Sequence, residues 1–426
     1  MAISLIAMRS PPSTSLDQIE KKIASARNEA RALYNELDKV RNQIQDASLD
    51  DMSSPIPSIP KNYNNLKLYN TLRGHQNKVA KIQWSSDSTR VLSASQDGYM
   101  IIWDAITGFK KQAISLENQW VLTCSYSPSG KLAASAGLDN ACTIYKIKPD
   151  TRGNRTEYGG YEMSGNFYQS VQSVFKGHTA YISDCNFVTN NTIITASGDM
   201  TCAQWDVTKG GKVRDFIDHL GDVLCISTFP ADKLSENLFV SGSSDGHAKI
   251  WDLRSPTPAQ NFYISNSDVN TLSIFPDGNS FVSGSDDGLI RLFDLRSDCE
   301  ISNYSLASQF QQHNSPSAAK FNNPPHRTAS KNGKSSPIDQ FSTKSASIYS
   351  TIDNPGVFSL DFSKSGRFVY ACYSEFGCMI WDILKNEIVG SIGNDHVNKI
   401  NQISVSPDGM GVATASWDST IKIWSA

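Results

Sequence analysis

The sequence predicts an all-β fold, a seven-bladed β-propeller, preceded by an N-terminal coiled-coil α-helix. Three observations predict it. A short apolar strand ending in an aromatic residue recurs seven times, at Trp103, Tyr145, Trp205, Trp251, Phe293, Trp381 and Trp424. An acid stands six residues before every one of them: Asp97, Asp139, Asp199, Asp245, Asp287, Glu375 and Asp418. Ahead of these copies, from Leu16 onward, apolar residues step by threes and fours without a break.

Each acid lies in a turn between two strands, as in Ser95-Gln96-Asp97-Gly98 and Ser285-Asp286-Asp287-Gly288. Gly and Asp supply the backbone freedom and local hydrogen bonding that a tight hairpin needs. The flanking runs Arg90–Ser95 and Tyr99–Trp103 read as short half-buried strands. The aromatics are separated by 42, 60, 46, 42, 88 and 43 residues. Against a repeat of about 42 residues only two intervals are long, so the count is seven blades carrying two insertions. An open arc of blades would leave unburied faces and an exposed edge at both ends. Residues 66–72, before the first copy, therefore read as the outer strand of the last blade.

The insertions fall at 148–172 and 305–352. The first is rich in Gly, Tyr and Asn and reads as a surface loop. The second is Ser-, Asn- and Pro-rich, basic and almost free of acids, a composition that reads as disordered. Within it, Ser315 and Ser336 precede prolines and Ser330 follows Arg327 at basophilic-kinase spacing, making all three candidate phosphoacceptors. A phosphate of about −2 charge would invert the local sign there.

The helix is assigned to residues 16–49, after a disordered stretch at 1–15 and before a linker at 50–65 marked by Pro55, Pro57 and Pro60. Leu16, Ile19, Ile23, Ala26, Ala30, Leu33, Leu37, Val40 and Ile44 form a strict seam, with Ala47 continuing it. A helix lying on its own globular domain would carry a broader apolar stripe. The seam instead predicts a partner helix, either a second copy or a different chain.

Composition narrows function. The formal net charge of −3 gives no footprint for nucleic acid. No apolar run reaches the roughly 18–20 residues of a membrane span. The eight cysteines include no C-x-x-C pair, which argues against zinc and against a disulfide framework. Histidines precede four of the blades, giving His75/Asp97/Trp103, His178/Asp199/Trp205, His219/Asp245/Trp251 and His396/Asp418/Trp424. With an intervening Ser or Thr these mimic a catalytic triad. Four copies, however, fit a repeated structural hydrogen-bond chain and not an active site. No phosphate-binding loop, HExxH or GxSxG element is present. The expectation is a non-enzymatic chain with no cofactor and no metal, acting through its surface.

The blades carry the WD40 signature, and the propeller is identified as a WD40 ring. Leu72-Arg73-Gly74-His75, Ser93–Gly98, Ile101–Asp104, Gly137-Leu138-Asp139-Asn140, Ser197–Cys202, Arg291–Arg296 and Ser416-Trp417-Asp418-Ser419 resemble heterotrimeric G-protein β subunits more specifically. The match runs from the heptad helix to the last strand. The longer insertion is similar to that of the yeast pheromone-response branch of the family. The resemblance implies a Gγ subunit on the helix and a Gα·GDP subunit on one propeller face. Positions matching that face are Lys78, Ile101, Trp120, Leu138, Asn140, Tyr181, Asp222, Leu224, Asp268, Asn270, Asp286 and Trp417. It further implies kinase-cascade effectors (a scaffold and a PAK-type kinase) and an indirect link to a receptor. The site would be the cytoplasm and the cytoplasmic face of the plasma membrane. The chain ends Ile423-Trp424-Ser425-Ala426 without a C-a-a-X cysteine, so membrane attachment is expected through lipidated partners only. Tyr99 and Ala80 depart from the Lys and Tyr common at those positions. The rival expectation is a homodimeric coiled-coil WD40 scaffold of another assembly.

Overall fold

The computed structural model describes residues 21–23, 25–29, 31–33, 36, 39, 49–59, 66–148, 171–230, 237–313, 354–374 and 377–425. The chain divides into two compact units, residues 1–56 and 57–426. In the first, every described residue between 21 and 39 is helical and exposed. The seam residues Ile23 and Leu33 are 47% and 58% exposed. Leu16, Ile19, Ala30, Leu37, Val40, Ile44 and Ala47 lie outside the described residues. A short helix, Leu49–Ser53, stands where the linker was expected to begin. It stops just before Pro55, whose ring disfavours helical geometry at the preceding Ser54.

The second unit contains 28 strands among the described residues, arranged as seven four-stranded antiparallel sheets. Each blade runs through its four strands in chain order, as in Val79–Trp84, Arg90–Ser95, Tyr99–Asp104 and Lys110–Ser115 for blade one. The last blade departs from this order. Its fourth strand is Lys67–Arg73, paired antiparallel with the C-terminal strand Thr420–Ser425. The first strands touch in succession from blade one to blade seven and back to blade one, which closes the ring around a channel. Closure buries apolar faces between neighbours. Leu72, Ile101 and Trp103 pack with Ala413 and Ile423 in a core joining the chain's two ends.

Each first strand carries a register shift after its first residue, at Val79, Val121, Ile182, Val223, Val269, Val357 and Ile400. The residue thereby bulged out of pairing turns to the channel: Ala80, Leu122, Ser183, Leu224, Asn270, Phe358 and Asn401.

Three expectations change at the insertions and cysteines. The loop assigned to 148–172 already re-enters a strand at Val171–Lys176. The segment assigned to disorder from 305 begins with a helix, Leu306–His313, anchored by buried Leu306 and by Gln309 Nε2 donating to the Asn386 carbonyl. Composition averaged over 48 residues hid that eight-residue anchor. Ser315, Ser330 and Ser336 lie outside the described residues. Finally, Cys372 and Cys378 are joined as a disulfide, facing one another on adjacent strands with Cα atoms 4.2 Å apart. The other six cysteines are free, five of them buried.

Candidate partner-binding face

The turn acids and histidines form the frame on which the face is built. In blade four the buried Trp251 Nε1–H donates to Ser241 Oγ at 2.8 Å. His219 bridges Ser241 Oγ, at 2.7 Å from Nε2, and Asp245 Oδ2, at 2.9 Å from Nδ1. The Leu220 N–H donates to the same carboxylate oxygen. Blades one, three and seven repeat this through Trp103–Ser93–His75–Asp97, Trp205–Thr195–His178–Asp199 and Trp424–Thr414–His396–Asp418. These histidine side chains are 1% exposed, so no substrate reaches them.

Burial pushes all four carboxyls up, but hydrogen bonding outweighs it and holds them below the usual carboxylate range. The histidine supplies the largest such bond at Asp97 and Asp245. Thr201 leads at Asp199 and Thr420 at Asp418, which is lowered to about 2. In blade five, where Phe293 offers no N–H, Arg291 donates to Asp287 and Ser285 instead. In blade six Trp381 donates to the buried Tyr373 hydroxyl, and Glu375 lies outside the described residues.

A second bond recurs in all seven blades and positions the face itself. The carbonyl just ahead of each first strand accepts the N–H of a residue in the hairpin tip. The acceptor and donor pairs are Lys78 and Gln96, Trp120 and Leu138, Tyr181 and Gly198, Asp222 and Ser244, Asp268 and Asp286, Gly356 and Ser374, Lys399 and Trp417. Ten of the twelve face residues named from sequence fall at one of three repeated positions. Lys78, Trp120, Tyr181, Asp222 and Asp268 precede the first strand; Leu224 and Asn270 are bulge residues; Leu138, Asp286 and Trp417 sit at the tip. Asn140 is on the same hairpin tip as Leu138, in left-handed geometry at φ 57°, its Nδ2 donating to the Thr179 carbonyl. The structure therefore gathers eleven residues at one end of the ring.

Ile101 does not join them. It is 3% exposed, in the middle of a blade-one strand covered on one side by blade seven and on the other by blade two, and this overturns its assignment to the face. Ala80 is half-buried at the channel mouth and Tyr99 is exposed.

The eleven have a distinct chemistry. Trp120 and Leu138 are 57% and 51% exposed, Trp417 36%. Lys78 Nζ lies 3.7 Å above the Trp417 ring. On the opposite side, Tyr181 Oη donates to Asp222 Oδ2 at 2.8 Å and Asn270 Nδ2 to Asp286 Oδ1 at 2.6 Å. Burial first, then Asp222, pushes the Tyr181 hydroxyl up to about 12. Burial and then the charges of Asp286 and Asp222 raise the Asp268 carboxyl. Exposed aromatics beside a rim of opposite charges are the anatomy of a protein-binding hot spot. Among the described residues no group of three or more His, Cys, Asp or Glu could hold a metal. No described helix is long and apolar enough to cross a membrane.

Sequence reasoning named Leu224 and Asn270 of the channel wall but missed its charged groups. Lys81 of blade one pairs with Asp184 of blade three, which also accepts from Thr123 of blade two and the Ile226 N–H of blade four. Asp361 accepts from the Phe362 and Val405 N–H groups and from Ser273, tying blades five, six and seven. Acids inside the first strands, Asp184 in Ile182–Phe187 and Asp361 in Val357–Phe362, were the available signal.

The sequence model described as G protein beta WD-40 repeat protein matches residues 20–320, and that of the WD domain, G-beta repeat, matches 346–382 and 388–425. The chain is 47% identical to the guanine nucleotide-binding protein subunit beta of Saccharomyces cerevisiae over 96% of its length and 92% of the relative's. It is 33% identical to the subunit of the same name from Solanum tuberosum, over 96% and 98% of the two chains. For the Oryza sativa subsp. japonica subunit the figures are 32%, 96% and 97%. The chain belongs to the heterotrimeric G-protein β-subunit family, WD40 propellers that act by binding and not by catalysis.

Proposed function

We propose that the ring binds a Gα subunit in its GDP form through the Trp120/Trp417 face, and that the seam helix pairs with a Gγ subunit. Nucleotide exchange on Gα then releases the face to effectors by uncovering it. The effectors are those of a mating-pheromone kinase cascade, a scaffold and a PAK-type kinase. Action is at the cytoplasmic side of the plasma membrane, where lipidated partners hold the complex. One observation carries the reading: two large indoles stand exposed at repeat positions whose backbone is fixed by the same bond in every blade. The 47% identity to a yeast β subunit supports the pathway.

The test is co-purification with Gα and Gγ chains. Trp120→Ala and Trp417→Ala should each weaken Gα·GDP binding about 30-fold or more, the roughly 2 kcal/mol at which hot-spot truncations begin, with the melting temperature held. A GTP analogue should release the wild-type ring. Recovery of a two-copy assembly that ignores Gγ would instead establish the homodimeric scaffold, for which the exposed Ile23 and Leu33 seam also provides.

A further inference from the structure

We propose that the face extends from blade seven onto blade six, where Lys399 of the first and Phe358 of the second complete it. They receive an apolar side chain and an adjacent carboxylate of the Gα·GDP surface. This deepens the preceding reading and rests on it. The argument comes from the repeat. Lys399 occupies in blade seven the position that Lys78, Trp120, Tyr181, Asp222 and Asp268 occupy in blades one to five, its carbonyl accepting the Trp417 N–H. Phe358 occupies in blade six the bulge position that Leu224 and Asn270 hold in blades four and five, on the wall of a channel of about 630 Å³. Positional equivalence thus places both beside residues already on the face.

Contacts then join them to it. Lys399 Nζ lies 3.4 Å above the Phe358 ring and 5.3 Å from the Trp417 ring, while Lys78 Nζ covers Trp417 at 3.7 Å. Lys78, Trp417, Lys399 and Phe358 form one ridge of alternating cations and aromatic faces across blades one, seven and six. In blade one the equivalent of Phe358 is Ala80, which offers only a methyl group, and in blade seven it is Asn401. Leu122 and Leu224 hold the position in blades two and four, and Phe358 is the only aromatic among the seven bulge residues. The two cations of the ridge belong to blades one and seven, whereas Asp222 and Asp268 belong to blades four and five. A docked surface that matches both halves brings carboxylate to the ridge and base to the acids.

The experiment measures the affinity of Gα·GDP for the assembled βγ complex carrying Phe358→Ala, Phe358→Leu, Lys399→Ala or Lys399→Arg, with Trp120→Ala alongside. Phe358→Ala and Lys399→Ala should each weaken binding at least 10-fold. Phe358→Leu, which keeps apolar bulk, should lose less than 5-fold, and Lys399→Arg should recover most of the loss. Lys399→Ala and Trp417→Ala should be less than additive, because the lysine holds the ring. Melting curves identify any variant that has lost its fold, and for such a variant the conservative replacement decides. If Trp120→Ala weakens binding while Phe358→Ala and Lys399→Ala stay within 2-fold of wild type, the face ends at Trp417 and the inference is overturned with the parent reading intact. If Trp120→Ala also leaves binding unchanged, the parent reading falls and takes this one with it.

Discussion

Asp361 makes the ring's stability depend on pH in a direction opposite to the turn carboxylates Asp97, Asp199, Asp245 and Asp418. Burial raises the Asp361 carboxyl to about 6 from 3.8, although the Val405 and Phe362 N–H groups and Ser273 all favour its charged form. Its cross-strand partner Tyr370 is the titratable group that faces it, and burial followed by the Asp361 charge raises that phenol in turn. The sign follows from linkage. Below pH 3.8 the carboxyl is protonated whether the chain is folded or not, and nothing is lost. Between 3.8 and about 6 folding takes up a proton, so stability falls as pH rises. Above about 6 the full penalty applies. Two units at about 1.4 kcal/mol each set that penalty at ~3 kcal/mol, an upper bound because the carboxyl lines the open channel. Asp361→Asn removes the titration but turns an amide N–H₂ towards one backbone donor, so its absolute stability also drops. The slope is therefore the readout. Urea midpoints of wild type and Asp361→Asn, taken from pH 4 to 7.5, should diverge through pH 4–6, with wild type losing up to ~3 kcal/mol relative to the variant as pH rises. Parallel curves would mean that channel water solvates the carboxylate and that burial costs it nothing.

Two further outcomes follow from the frame. Ser241→Ala leaves the Trp251 indole N–H and the His219 Nε2 without their shared partner in a fully buried site, which should lower unfolding free energy by about 2–5 kcal/mol by chemical denaturation. Gly198→Ala puts a methyl group 2.4 Å from the Tyr181 ring. It should displace that ring from Asp222, weakening Gα·GDP binding by about 10-fold while costing under ~2 kcal/mol of stability, since the half-buried ring can swing outward. An unchanged affinity would remove Tyr181 from the face.

The ring was legible because its repeat is written in local chemistry. An acid six residues ahead of an aromatic is the hairpin turn plus the partner strand, and the seven copies fix closure and count. What escaped depends on which face of a strand is covered. Ile101 lies in a strand whose inner four residues are all buried, because neighbouring blades cover both sides, so alternation carries no signal there. The Cys372–Cys378 bond escaped for another reason, although the repeat encodes it. Residues six apart across the hairpin face one another in every blade, as Ala94 and Met100, Ala136 and Cys142, or Ala196 and Cys202. Only in blade six are both cysteines. The register had to be known before six residues became a contact. Lys81, Asp184 and Asp361 lie beyond bulges that move their side chains out of simple alternation.

The same frame constrains how a partner can be switched on and off. Trp417 is followed by Asp418, Asp286 by Asp287 and Leu138 by Asp139; the first of each pair faces solvent and the second occupies the turn position. Asp418 is held by His396 and by the Val397 and Thr420 N–H groups, and Asp287 by Arg291, Ser285 and Ser265. Trp417 and Asp286 also give their own N–H groups to the neighbouring loop. Moving either face side chain by its backbone therefore breaks several part-buried hydrogen bonds worth about 1 kcal/mol apiece. A ligand shifts an equilibrium only by its differential affinity for two populated states, and a face locked in this way offers one. On the function proposed above, any change in affinity brought about by nucleotide exchange must then arise in the partner. The ring contributes a fixed template, and its control is by occupancy.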